Sequence, residues 1–259
     1  ELTYDTRYAQ LATAETIFTG GCGVGPLASA ASYDRGLGLV TAVTDLRGQP
    51  SAVEYDGFGR LVALTPPHPE LPGALSPRPS VRVTYYLPAE LGGQPYSAMR
   101  TETHDGASLE DDAYLEGWAW VDGLGRGIAS LAEADPDAAQ GDGHAWVVSE
   151  LVELDAKGAV RRKYLPFYYD GEPLTAPITA APRAPLEAGA GSGASGWGTE
   201  EGTPVAYGGQ RYDAFGRQLQ TFDVDGTVTL QSRHHALSTD LYDAADREPG
   251  PHQGTYASE

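Results

Sequence analysis

The 259 residues carry 36 Asp and Glu against 17 Lys and Arg, a formal net charge of -19 that argues against a phosphate-tracking nucleic-acid binder or a binder of anionic membranes. One cysteine, Cys22, excludes an internal disulfide, no Cys/His spacing matches a structural zinc site, and no apolar run approaches the roughly 18 residues of a membrane span. With 33 glycines, 19 prolines and 15 tyrosines beside one methionine, the composition is that of an all-β chain built from turns and aromatic strand faces.

In chain order, ELTYDTRYAQ has neither an initial Met nor the basic and apolar regions of a secretion leader, and the chain reads as a segment of something longer. Residues 1–32 end in the apolar, Gly-rich FTGGCGVGPLASAAS, expected to be a connection rather than a nucleotide loop, since GCGVG lacks the strand, helix and acidic residue that a dinucleotide fingerprint needs. LVTAVT (Leu39 to Thr44), SAVEY (Ser51 to Tyr55) and LVALT (Leu61 to Thr65) then predict short strands bounded by turn residues. Six prolines between Thr65 and Ser80 forbid regular ladder pairing and predict an extended excursion.

VRVTYYL (Val81 to Leu87) resumes a strand, and Trp118 and Trp120 share one face if the next strand begins there. The Val and Leu run of AWVVSELVEL predicts a well-buried strand, followed by a degenerate corner at Asp155 to Gly158. Residues 175–204 read as a flexible loop or insertion. RQLQTF (Arg217 to Phe222) and TVTLQS (Thr227 to Ser232) are the last clear strands.

A repeat lies between these strands. Asp34, Asp45 and Asp56 fall 11 apart, Asp213 and Asp223 10 apart, and Gly48, Gly59, Gly216 and Gly226 each stand three residues behind an Asp. A fixed period of this kind indicates stacked units. Asp accepts backbone N–H groups ahead of it and Gly takes the positive φ that lets two strands rejoin through a bulge, so Asp-x-x-Gly predicts a hairpin corner. The fullest copies are YDGFGR (Tyr55, Asp56, Gly59, Arg60), VDGLGR (Asp122, Gly125, Arg126) and YDAFGR (Tyr212, Asp213, Gly216, Arg217). Their arginines are expected to be struts that hold a carboxylate or carbonyl on the next strand.

In residue type, spacing and strand context, Gly48 to Leu64 and Gly208 to Gly226 resemble the YD repeats of RHS proteins. The irregular copies and the tail from His234 look more like the B component of bacterial Tc toxin complexes, and the resemblance covers about half the chain. It implies a spiralling antiparallel sheet of YD-repeat hairpins forming part of a hollow shell, with residues 1–259 as one shell segment. As partners it implies the remainder of the same shell, an enclosed toxic C-terminal cargo and other toxin-complex subunits, in a protein made in the cytoplasm and secreted. No stretch matches the family's autoproteolytic region, so no catalytic residue is carried over.

No cofactor, metal site or enzymatic activity is expected. His234 and His235 are adjacent and on a strand point to opposite faces, leaving His252 as a distant third ligand. DVDG (Asp223 to Gly226) shares the opening of a calcium loop but not its later ligands. Cys22 has no nucleophile signature around it, and Glu110, Asp111, Asp112 and Glu116 read as a solvated acidic face rather than a glycosidase pair. The alternative function is a carbohydrate- or receptor-binding β-sheet adhesion module that presents Trp118 and Trp120 to a glycan.

Overall fold

A computed structural model describes residues 1–90, 96–134, 144–173, 206–247, 249–254 and 257–258, so the expected loop at 175–204 lies outside the described residues. The chain is all-β: among the described residues there are eighteen strands and one four-residue helix, α1 (Ala244–Arg247). It separates into two compact units, one of Glu1–Tyr85 with Met99–Glu116 and one of Tyr86–Ala98 with Gly117–Glu259. Strands β8 (Tyr96–His104) and β9 (Tyr114–Asp122) contribute to both.

The first unit is a meander. Strands β1 (Leu2–Tyr4), β2 (Ala12–Phe18), β3 (Pro26–Asp34), β4 (Leu39–Thr44), β5 (Pro50–Tyr55), β6 (Leu61–Thr65) and β7 (Val81–Tyr86) pair antiparallel, each with the next. The stretch FTGGCGVGPLASAAS, expected to be a connection, is therefore the end of β2, a turn and the start of β3. The small and β-branched residues of ATAETIF and PLASAASYD fit a pleated ladder, and Gly20 to Gly25 close their hairpin, with the Thr19 N–H donating to Gly25 O at 3.2 Å. The proline-rich excursion carries no strand, only the isolated bridge Pro67 to Leu75.

In the second unit β9, β10 (Gly127–Glu133) and β11 (Trp146–Leu154) pair in turn, and β11 also pairs with β12 (Val160–Tyr164) and β13 (Phe167–Tyr169). From β12 the ladder runs through β14 (Tyr207–Tyr212), β15 (Gln218–Phe222), β16 (Val228–His234), β17 (Thr239–Tyr242) and β18 (Ala257–Ser258). Its core is aromatic. Trp118 stacks on Tyr86 and on Trp120, with ring centroids at 5.2 Å and 6.0 Å, and Leu131, Val148, Leu151, Tyr164, Phe167 and Tyr207 complete the buried cluster.

This burial corrects the alternative reading of the tryptophans. Trp118 is 6% exposed and Trp120 0%, so neither is displayed to a ligand on a sheet face. They do share a face, as their spacing implies, but that face is the packed one.

Candidate functional site

The recurring corners form the most repetitive local geometry in the molecule. At Asp45, Asp56, Asp122, Asp155, Asp213 and Asp223, the Asp N–H donates to the carbonyl four residues on, and the Gly N–H three residues on donates back to the Asp carbonyl, all within 2.8–3.1 Å. The six glycines have φ between +77° and +85°, the left-handed region in which an L side chain is strained.

The carboxylate completes the loop. At Asp45, Asp56, Asp122, Asp155 and Asp213, Oδ1 accepts the N–H groups two and four residues ahead at 2.8–2.9 Å. Those N–H groups point into the turn and have no ladder partner there, so the side chain satisfies them. Asp223 departs from the pattern: it takes the Val224 N–H, and Asp225 takes that of Thr227. The backbone N–H of Arg60 and the guanidinium of Arg126 hold the Asp56 and Asp122 carboxyls, respectively, below the usual range.

The arginines go to a different partner than the sequence suggests. Arg60 Nε donates to Asp56 Oδ2 at 2.6 Å, Arg126 Nε to Asp122 Oδ2 at 2.6 Å and Arg217 Nε to Asp213 Oδ2 at 2.7 Å, so each closes its own corner rather than reaching the next strand. Four residues across a tight turn is close enough for the side chain to fold back, which orders less chain than a longer reach. Two of the three guanidinium groups also lie over the corner's own exposed ring, Arg60 over Phe58 and Arg217 over Phe215, each 5.4 Å from the centroid. Among the described residues, Arg60 meets a second strand through the Tyr85 ring, at 4.2 Å. Tyr55 and Tyr212 sit half-buried at the bulges just before their Asp residues.

Corners also touch one another. A Cβ on Gly158 would coincide with the Arg126 guanidinium, so the Asp155 corner is pressed against the Asp122 corner. Lys157 Nζ donates to the Ala214 carbonyl, joining the Asp155 corner to the Asp213 corner, and burial followed by the Asp155 charge pushes the Tyr212 phenol up. In the first unit a Cβ on Gly59 would lie 3.1 Å from Leu39 Cδ1, which brings the Asp34 and Asp56 corners side by side.

One corner went unread in the sequence. Asp5 is buried and accepts N–H groups from Tyr8, Gln10 and Leu11; with Leu11 the largest contributor, these hold its carboxyl down to about 2. Its turn is longer, and Ala9 rather than Gly takes the left-handed position at φ 52°. Tyr4–Asp5 was the available signal, hidden by the missing glycine.

Among the described residues, His104, Asp105 and Asp111 group their ligand atoms within 4.8 Å. His104 Nδ1 accepts the Gly106 N–H at 3.1 Å, which in the neutral ring leaves the proton on Nε2, facing Asp111 Oδ1 at 3.3 Å. A ring protonated on the nitrogen that faces the acids closes a turn and is a poor metal ligand. His234 engages Thr239 and Gln218 through its two nitrogens, and His235 pairs with Asp240 at 2.9 Å.

No protein-family model matches the chain, and no curated protein matches it by sequence. Its fold is like that of chains of Tc toxins. It is similar to the Photorhabdus luminescens Tc holotoxin pore with a mutated TccC3, at TM-score 0.64 and 15% identity over 99% of this chain. It is also similar to TcdB2-TccC3 without its hypervariable C-terminal region, at 0.60 and 14% over 99%, and to TcdB2-TccC3-Cdc42, at 0.59 and 14% over 95%. The chain spans about 15% of each of those chains.

Proposed function

We propose that this chain is a wall segment of an RHS shell in a secreted Tc-type toxin, and that the whole shell encloses a toxic C-terminal cargo away from the cytoplasm in which it is made. The observation that carries this reading is a fold likeness over 99% of the chain, combined with six corners of one backbone geometry. Backbone pairing tolerates many side chains, so a ladder of such hairpins extends without a dense core of its own. The corner residues Tyr55, Asp56, Gly59, Arg60, Asp122, Gly125, Arg126, Tyr212, Asp213, Gly216 and Arg217 act structurally, by fixing the hairpin ends at a constant pitch. Residues 1–259 serve as one segment of that wall, with the rest of the shell and other toxin-complex subunits as partners. The segment performs no chemistry.

Cryo-electron imaging of the full-length gene product tests this. A closed particle with an internal cavity, and protease resistance of whatever follows the shell, is the expected result; a solid globule or a rod overturns it. The glycan-binding alternative is not favoured, because its two tryptophans are buried.

A further inference from the structure

The turns along one edge of the second unit differ from those along the other. Because β9, β10, β11, β12, β14, β15, β16 and β17 pair antiparallel in that order, the corners of Asp122, Asp155 and Asp213 and the turn at His235–Ser238 fall on one rim. The approach of the Arg126 guanidinium to Gly158 and the Lys157 to Ala214 hydrogen bond follow that order. Successive turns on a rim are two strands apart, about 10 Å at the usual strand spacing. Their tips carry Leu124, Lys157, Phe215 and Leu237, and the three apolar ones are 80%, 85% and 99% exposed.

Charge divides the rims in the same way. On the apolar rim each corner carboxylate has a cation in its own corner, Asp122 with Arg126, Asp155 with Lys157 and Asp213 with Arg217, and Asp240 beside the last turn pairs with His235. The opposite rim holds the Asp223 corner, with Asp225 at its tip, and Asp243 and Asp246 about α1, against Arg247 among the described residues. On a chain of net charge -19, the first rim is a locally balanced, apolar strip. The corners themselves add a correlation. Phe58, Leu124 and Phe215 stand at the tips of the three corners whose Asp is closed by an Arg four residues on; Arg47, Lys157 and Asp225 stand where that position is Gln49, Ala159 or Thr227. The corner that projects an apolar tip is thus the one its own ion pair fixes.

We propose that this rim is the seam along which the wall meets a neighbouring row of like construction, with Leu124, Phe215 and Leu237 packing between that row's turns. The inference rests on the wall-segment reading above. Single exposed apolar residues are ordinary, but three repeated along one rim of tight turns are contact anchors that lose little entropy on packing. Charge selects a like row as the occupant: another strongly acidic segment is repelled by the Asp223 rim and not by a balanced one. Gaps of about 10 Å between tips admit side chains from the facing turns. An anionic membrane is disfavoured, because the rim offers no net positive charge to hold it.

Photo-cross-linking in the full-length gene product tests the seam, with Leu124 or Phe215 replaced by p-benzoylphenylalanine. Both positions are expected to link, within the same polypeptide, to turn residues outside 117–259. No link, links confined to 117–259, links to strand residues, or links to another subunit overturn the assignment. Leu124→Ser, Phe215→Ser and Leu237→Ser together should lower the melting temperature of the full-length product by at least about 3 °C, and Leu124→Ile, Phe215→Leu and Leu237→Ile together by less than about 1 °C. An unchanged melting temperature in the Ser variant, or an equal loss in the conservative one, also overturns it. A cavity seen by imaging beside unlinked tips sinks the seam and leaves the wall reading; linked tips in a particle without a cavity remove the shell and keep the contact.

Discussion

The two units of this chain are stabilised in different ways. In the first, Ala63 and Val83 are the buried apolar residues among those described, yet seven strands hold register and three corners, at Asp34, Asp45 and Asp56, recur at an 11-residue pitch. In the second, the corners flank a stacked aromatic cluster around Trp118 and Trp120. Hairpin ends closed by their own carboxylates can therefore hold a ladder in register with little core beneath it, whereas the second unit adds hydrophobic burial to the same corner device. Stability in the first unit should be distributed and low per strand; in the second it should be concentrated.

The sharpest way to break this comparison is Trp120→Ala, which removes a fully buried indole and should cost about 3–5 kcal/mol. Hydrogen exchange should show the loss of protection on β9, β10 and β11; an equal loss across β3 to β6 would show that the two regions melt together. Trp120→Phe should cost distinctly less, because the indole Nε1 has no hydrogen-bond partner to lose.

Next in size is Gly158→Ala. The φ of +85° and the Arg126 guanidinium both oppose a Cβ there, and a destabilisation of about 1–3 kcal/mol in urea titration is expected. Gly48→Ala in the first unit meets the same backbone strain, at φ +77°, but open space, and should cost about 1 kcal/mol. Equal costs at the two sites would remove the packing of corner against corner as a stabilising element.

In the first unit acid should act through Asp5. Asp5 titrates at about 2 in the folded chain, below its ordinary 3.8, so its contribution is fully present above 3.8 and is lost as the pH falls toward 2. Following unfolding of β1 to β3 across that window should show a slope that Asp5→Asn flattens. The smallest effect expected is a gain: Ala9→Gly relieves a left-handed alanine and should stabilise by about 0.5–1 kcal/mol in thermal melts, there being no glycine at that corner to match the others.

Much of the corner geometry was legible because it is local. Asp56 and Gly59, or Asp213 and Gly216, carry the whole turn within five residues, and turn chemistry acts over that distance. The strands flanking them were legible for the same reason. Asp5 was not, because its turn is longer and uses alanine, so the spacing that marks the others is absent. The destination of Arg60, Arg126 and Arg217 was misread because a guanidinium reaches several partners and the sequence does not rank them; the closest proved to be the Asp four residues back.

By itself, then, the sequence determined an all-β chain, its hairpin corners and most strand positions, since backbone dihedrals, turn carboxylates and β-branched side chains act on near neighbours. Only the tertiary structure decided which face is buried, that Trp118 and Trp120 are core rather than display, and that the Asp155 corner is wedged between those of Asp122 and Asp213. Those outcomes depend on which strands become neighbours, and β12 pairs with β14 across more than forty residues of intervening chain, a distance over which no local preference reaches.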